Sequence, residues 1–150
     1  MSQADLKQAA LNLLSRRDHA KAELKQKLRQ RGFDLSGSEA LFLQLEEWGY
    51  LDEARFALSY ARSRALRGQG PAKVRQELRQ RGVSSSLITQ AIEQEELDWW
   101  QCCLELAQRR FDAQLLADYA ARQKAWRFLS GRGFDRDQIH YAFEELSRSE

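Results

Sequence analysis

Proline, β-branched residues and long apolar runs are all scarce in this chain of 150 residues, which contains a single proline. Ala, Leu, Gln, Glu, Lys and Arg are abundant instead, and these residue types favour helix over strand. No window approaches the roughly 18 consecutive apolar residues of a membrane span, and the N-terminus lacks the basic-then-apolar order of a signal peptide. We therefore expect an all-α, cytoplasmic protein with no membrane partner.

Residues suited to catalysis or metal binding are also few. The two cysteines, Cys102 and Cys103, are adjacent, which rarely allows a disulfide and fits buried thiols in a reducing compartment. His19 and His140 lie 121 positions apart, and no Gly-rich phosphate loop or serine elbow motif is present. We expect His19 to make a local capping contact and His140 to be partly exposed. The sequence thus predicts no metal, no cofactor and no enzymatic activity.

A phrase of thirteen residues recurs three times along the chain. It reads KAELKQKLRQRGF over 21–33, PAKVRQELRQRGV over 71–83, and RQKAWRFLSGRGF over 122–134. We interpret the chain as three tandem three-helix repeats, over residues 1–50, 51–95 and 96–150. Each repeat has one apolar stripe per helix and too little core to be stable alone. Neighbouring repeats should therefore share faces and form an elongated, curved array.

Helix starts and inward faces can be predicted from caps and from apolar spacing. Helices are expected over about 4–16, 20–31, 53–67 and 71–81, and a longer one from about 112 to 131. Caps are expected from Asp18, from Ser36 in a capping box with Glu39, from Asp52, from Ser84–Ser86, and from Asp135 in a capping box with Gln138. The aromatic and polar residues expected on inward faces are Trp48, Phe56, Tyr60, Ser63, Trp100, Phe111, Tyr119, Trp126 and Phe143.

Charge is unevenly distributed although the net charge is only +2. Residues 16–31 hold seven Lys or Arg against two acids, and residues 62–81 hold seven against one. Residues 82–108 hold five acids and no Lys or Arg. Such runs are typical of solvated helix faces, but two matching basic segments also favour an anionic partner such as nucleic acid.

Cations four positions apart share one face of a helix. Lys21, Lys25 and Arg29 form such a ladder, and Arg75 and Arg79 form another one repeat later. These ladders can grip phosphates or an acidic protein groove, while nothing indicates base-specific recognition. Two readings stay open for Gly68-Gln-Gly70, as flexible backbone or as a helix stop before proline. Two also stay open for Trp99-Trp100, as base stacking or as core packing.

The order of these motifs resembles the RecX family of bacterial recombination regulators over essentially the whole chain. The most specific segments are Gly49-Tyr50-Leu51-Asp52 with Arg55-Phe56-Ala57, and Gly70-Pro71 with Glu77-Leu78 and Arg81-Gly82. One departure is Ala20, where such proteins commonly have a serine cap. The resemblance implies three three-helix repeats and negative modulation of RecA in DNA repair, recombination and the SOS response.

By this resemblance, the chain would act as a monomer in the groove of the RecA–DNA filament. It would hinder ATP hydrolysis, strand exchange and co-protease activity, and would also contact single- or double-stranded DNA. The alternatives are a general nucleic-acid-binding repeat protein and, least favoured, an enzyme using His19 or His140. From charge and periodicity, the predicted RecA- and DNA-contacting residues are Arg16, Arg17, Lys21, Lys25, Arg29, Arg62, Arg64, Arg67, Lys73, Arg75, Arg79 and Arg81.

Overall fold

The computed structural model describes residues 2–148, apart from the side chain of Leu115. Within that range the chain forms nine α-helices, one short 3₁₀ helix at Leu115–Ala117 and no strand. The all-α prediction is therefore confirmed, and none of these helices is long and apolar enough to cross a membrane. The helices are α1 (Gln3–Arg16), α2 (Lys21–Gln30), α3 (Glu39–Glu47), α4 (Glu53–Leu66), α5 (Pro71–Gln80), α6 (Ser85–Ile92), α7 (Trp99–Arg110), α8 (Tyr119–Gly131) and α9 (Arg136–Arg148).

Two compact units divide the chain, and their boundaries fall inside helices α4, α5 and α6. Unit 1 is the chain up to Ser59 together with Leu78–Ala91. Unit 2 is Tyr60–Glu77 together with the chain from Ile92 onward. The residue bounds given above for the three repeats stay a prediction.

An apolar core fills unit 1 with side chains from its first three helices. Their spacing of three or four residues places them on one side of each helix. Both Leu24 and Leu28 of α2 have no exposed surface. The core consists of Leu6, Ala10, Leu13, Leu24, Leu28, Leu41, Phe42, Leu45 and Leu51.

The three copies of the repeated phrase end their helices in the same way. A glycine with positive φ follows each helix, at Gly32 (φ 91°), Gly82 (φ 81°) and Gly133 (φ 104°). The backbone N–H of the next residue donates back across the turn to the carbonyl of a leucine, at 3.2 Å in all three copies. Those leucines, Leu28, Leu78 and Leu129, have no exposed surface. This is the Schellman motif, which satisfies helix carbonyls that otherwise lack partners.

A close approach of two backbone segments explains Gly70 in unit 2. The Gly70 N–H donates to the Arg132 carbonyl at 2.7 Å, and the Ala72 N–H donates to the Gly133 carbonyl at 3.1 Å. A Cβ atom on Gly70 would lie 2.4 Å from the Gly133 carbonyl carbon. Reading Gly70 as flexible backbone, or only as the residue before proline, was therefore wrong. Gly68, with φ of 81°, does end α4 as the helix-stop reading expected.

Three of the predicted helix caps are confirmed. The Asp52 carboxylate accepts from the Arg55 N–H at 3.0 Å, and the Ser84 hydroxyl accepts from the Leu87 N–H at 3.4 Å. The capping box between Asp135 and Gln138 is reciprocal, at 3.0 and 2.8 Å.

Two other predicted caps are wrong. Ala20 occupies the N-cap of α2 without a side-chain hydrogen bond, because Asp18 binds the Arg55 guanidinium at 2.8 Å instead. The N-cap of α3 is Ser38 rather than Ser36, and the Ser38 hydroxyl donates back to the Leu35 carbonyl, so no capping box forms.

Several predicted inward residues are also wrong. In α4 the buried positions are Phe56, Ala57, Ala61 and Ala65, whereas Tyr60 is half-buried and Ser63 is exposed. Small alanines four residues apart allow close packing there, which an aromatic stripe would prevent. Trp48, Trp100 and Tyr119 are 50%, 43% and 75% exposed.

Trp99 takes the buried place that was expected of Trp100. It is 7% exposed, and its indole N–H donates to the Ile92 carbonyl at 2.8 Å. The helix expected from about residue 112 begins only at Tyr119, because Asp118 caps it by accepting from the Ala121 N–H at 3.0 Å. The 3₁₀ helix precedes it.

We expect Gly70→Ala to lower the free energy of unfolding by about 2 kcal/mol or more, because the new methyl group would press on rigid backbone. Gly131→Ala is the matched control, since a Cβ atom there meets nothing within 4 Å. That substitution should be neutral or slightly stabilising, as is usual for glycine in a helix. Urea unfolding of both variants tests the difference, and equal stabilities would contradict the close approach.

Candidate functional site

The twelve predicted contact cations are divided between the two units. Unit 1 carries Arg16, Arg17, Lys21, Lys25, Arg29, Arg79 and Arg81, and unit 2 carries Arg62, Arg64, Arg67, Lys73 and Arg75. Their neighbours separate them into cations held by carboxylates of the chain and cations that point to solvent.

Glu23 holds two of these arginines at once. Its carboxylate binds the Arg17 guanidinium through two contacts of 2.8 and 3.2 Å, and it binds the Arg81 guanidinium at 2.8 Å. The Glu23 side chain is only 13% exposed. Burial alone would raise the pKa of Glu23, but the hydrogen bond from Arg17 and the charges of Arg17, His19 and Arg81 lower it overall. The carboxylate therefore stays ionised and holds α2 to the end of α5.

His19 lies beside this cluster and is 2% exposed. Its Nδ1 is 3.0 Å from the Arg17 carbonyl, and its Nε2 is 3.1 Å from the Lys27 ammonium. Because a carbonyl only accepts, Nδ1 carries the proton and Nε2 accepts from Lys27. Burial, together with the charges of Arg17 and Lys27, lowers the pKa of His19. Since Arg17 is the C-cap of α1, this is a local contact at a helix end, as predicted.

His140 has a different environment on α9. It is exposed, as predicted, and its ring meets the Trp126 ring edge-on with 5.0 Å between the centroids. Among the described residues, no group of three or more His, Cys, Asp or Glu side chains is placed to hold a metal ion.

Three other predicted cations also contact side chains of the chain. The Lys21 ammonium binds Glu46 at 3.0 Å. The Arg64 guanidinium is 3.7 Å from the Glu77 carboxylate, which also accepts from the Tyr60 hydroxyl at 3.0 Å. The Lys25 ammonium lies over the Phe42 ring, 5.1 Å from its centroid.

The remaining seven cations make no ion pair with any residue that the structure describes. All are exposed except Lys73, which is half-buried. Arg75 and Arg79 belong to this group, so neither is tied to the acidic stretch over 82–108. An external phosphate or carboxylate can bind these side chains without displacing an internal partner. They are Arg16, Arg29, Arg62, Arg67, Lys73, Arg75 and Arg79.

Two arginines outside the predicted set have structural roles that sequence reasoning missed. Arg132 donates from Nε to the Gly68 carbonyl at 3.0 Å and from Nη2 to the Arg67 carbonyl. Arg55 binds Asp18 and also donates to the Gly49 carbonyl at 3.1 Å. Arg132 aligns with Arg81 in the repeated phrase, and this alignment was the only feature of the sequence that indicated a structural role for Arg132. No local pattern connects Arg55 with Asp18, since 37 positions separate them.

We expect Glu23→Gln to lower the free energy of unfolding at pH 7 by about 1–2 kcal/mol. Charge-assisted hydrogen bonds are lost, but the exposure of Arg17 (48%) screens part of the effect. Because folding lowers the Glu23 pKa below its ordinary value of 4.5, the stabilisation is present above that pH and disappears as pH falls through the folded pKa.

The difference between wild type and Glu23→Gln should therefore shrink in acid, as measured by urea unfolding between about pH 7 and pH 3. Glu47→Gln serves as the control, because Glu47 is exposed and makes no ion pair with a described residue. A Glu23→Gln variant as stable as Glu47→Gln at pH 7 would show that the carboxylate does not hold the two arginines.

Comparison with known proteins gives consistent matches along the chain. Family models match the first three-helix domain of RecX over residues 7–36, the second over 52–92 and the third over 96–143. The regulatory protein RecX of Halorhodospira halophila is 44% identical over 91% of this chain and 85% of its own length. That of Legionella pneumophila strain Corby is 38% identical over 94% of each chain.

Solved structures agree on the fold. The crystal structure of RecX from Lactobacillus salivarius superposes with a TM-score of 0.81 at 22% identity, over 97% of this chain and 96% of that one. A second crystal structure of regulatory protein RecX gives 0.78 at 23% identity, over 99% of this chain and 72% of that one. With three family models and relatives up to 44% identical along most of its length, the chain belongs to the RecX family.

Proposed function

We propose that this protein is a negative modulator of the RecA recombinase. It would bind in the groove of the RecA–DNA filament as a cytoplasmic monomer, and there inhibit ATP hydrolysis, strand exchange and co-protease activity. The observation that carries the proposal is family membership along most of the chain, with relatives that bear the name regulatory protein RecX. The protein would act by binding and not by catalysis.

The distribution of cations supports a role in binding. Four of the twelve predicted cations already neutralise carboxylates of the chain, and they stabilise its fold. The seven without such partners are available to phosphates of DNA or to carboxylates of RecA. Arg75 and Arg79 are the first of these cations to test, because they lie four positions apart on α5 and both are exposed.

The second candidate function is general nucleic-acid binding without action specific to RecA. The same exposed cations favour it, because contacts to phosphates carry no sequence information and need no particular protein partner. The two functions differ in what an unrelated basic protein does. Electrostatic competition for DNA would be reproduced by any protein of similar charge, whereas binding to the filament would not.

We expect the wild-type chain to inhibit the ATPase of RecA on single-stranded DNA, and Arg75→Glu with Arg79→Glu to weaken the inhibition about tenfold or more. The reason is that two attractive contacts become repulsive ones. ATPase rates are measured at fixed salt over a range of protein concentration. An unrelated basic protein is titrated in parallel.

Arg127→Glu with Arg136→Glu is the matched control for this double variant. Both residues are exposed, lie outside the predicted set and make no ion pair with a described residue. The change in net charge is therefore the same. If both double variants lose inhibition equally, or if the unrelated basic protein inhibits as well as the wild type, general electrostatics replace the RecA-specific function.

A further inference from the structure

Unit 2 contains an aromatic pocket, and none of the twelve predicted contact residues is among the residues that line it. It has a volume of about 360 Å³ and is lined by the end of α7, the 3₁₀ helix and one face of α8. Small-molecule pockets in proteins occupy roughly 300–1,000 Å³, so this one is at the small end of that range. The lining residues are Arg110, Phe111, Leu116, Ala121, Lys124 and Phe128.

The floor of the aromatic pocket is formed by two phenylalanine rings. Phe111 and Phe128 meet edge to face with 5.7 Å between their centroids, and both are half-buried. Leu116 is 5% exposed and closes the apolar side. Ala121 also lines the pocket, and its methyl group takes up little of the pocket volume. A flat apolar group that enters the pocket can stack on one of these two nearly perpendicular rings and meet the other at its edge.

The rim of the same pocket is cationic. Arg110 stacks its guanidinium over the Phe128 ring at 4.3 Å from the centroid, and Lys124 is exposed on α8. Neither makes an ion pair with a residue in the described part of the chain. The nearest acids along the sequence are engaged locally, because Asp112 accepts from the Gln114 N–H at 2.9 Å and Asp118 caps α8. Among the residues that the structure describes, no carboxylate lines the pocket.

We propose that the aromatic pocket binds single-stranded nucleic acid by packing one unpaired base face to face against one of its two phenylalanine rings, Phe111 or Phe128, and edge to face against the other, with flanking phosphates on Arg110 and Lys124. Aromatic floors with cationic rims are the usual means of binding single strands without sequence preference. Bases of a duplex are stacked inside the helix and cannot enter without being extruded. The pocket therefore selects single-stranded over double-stranded ligands by shape.

Binding of a single strand at the aromatic pocket does not require RecA, so it can be tested separately from the proposed function. The test measures the affinity of the full chain for a labelled oligothymidylate of about 15 nucleotides. The comparison ligands are an abasic strand of the same length, a duplex, and an acidic peptide carrying one phenylalanine. Thermal unfolding of each variant is followed by circular dichroism, so that loss of the fold is recognised.

Phe128→Leu should weaken binding to oligothymidylate about fivefold or more and leave the abasic strand unaffected. Ala121→Leu keeps both rings and adds bulk to the lining of the pocket, so it should give the same result without removing a ring. Arg110→Gln with Lys124→Gln should weaken both strands and lower the salt slope by about 1.4, or about 0.7 for each phosphate. Arg127→Gln with Arg136→Gln, which removes the same charge outside the pocket, should lower affinity less.

Unchanged affinity for oligothymidylate in both folded Phe128→Leu and folded Ala121→Leu would overturn the proposal. Equal losses for the abasic strand or the duplex would overturn base stacking as well. If the acidic peptide binds in a way that depends on Phe128 while oligothymidylate does not, the pocket takes a protein ligand instead. If Phe128→Leu loses binding to oligothymidylate but still inhibits RecA, the proposed function does not depend on the pocket. If the wild-type chain binds oligothymidylate through the pocket but does not inhibit RecA, the proposed function fails and the pocket proposal stands.

Discussion

The ends of α5 and α8, each packed against the preceding copy of the repeated phrase, are the contacts on which the structure depends. A Cβ atom on Gly82, after α5, would lie 3.0 Å from the Ala22 methyl group of α2. One on Gly133, after α8, would lie 2.7 Å from the backbone nitrogen of Lys73 in α5. Each glycine thus serves twice, since it adopts the positive φ of the helix stop and leaves room for the neighbouring helix.

The arginine before each of these glycines follows the same relation. Arg81 reaches back to Glu23 of the first copy, and Arg132 reaches back to the carbonyls of Arg67 and Gly68. Arg31 occupies the equivalent place in the first copy, has no earlier copy to contact, and is exposed. One sequence phrase therefore produces two structural arginines and one exposed arginine, and the difference comes from position in the series and not from local sequence.

Composition was enough to predict the all-α class, and periodicity and glycine spacing were enough to predict the alignment of Leu28 with Leu78 and Leu129 and the turns that follow these leucines. The predictions that failed concern side chains whose contacts lie far away in the sequence. Asp18 was expected to cap α2 because of its place in the sequence, but a guanidinium 37 residues away binds it. Trp99 and Trp100 are the same residue type at adjacent positions, and tertiary packing decides that Trp99 is the buried one.

The same limit applies to the candidate binding surface. Counting Lys and Arg over 62–81 gives seven cations, but Arg64 and Arg81 already face Glu77 and Glu23. Fewer than seven of these cations are therefore available to an external anion. Arg75 and Arg79 are among those that remain available. Conversely, Arg110 and Lys124 lie outside the dense basic segments and gain significance only because folding places them around Phe111 and Phe128. In a helical repeat, charge density along the sequence locates the basic helices, whereas the packing of one copy on another decides which cations remain available for a ligand.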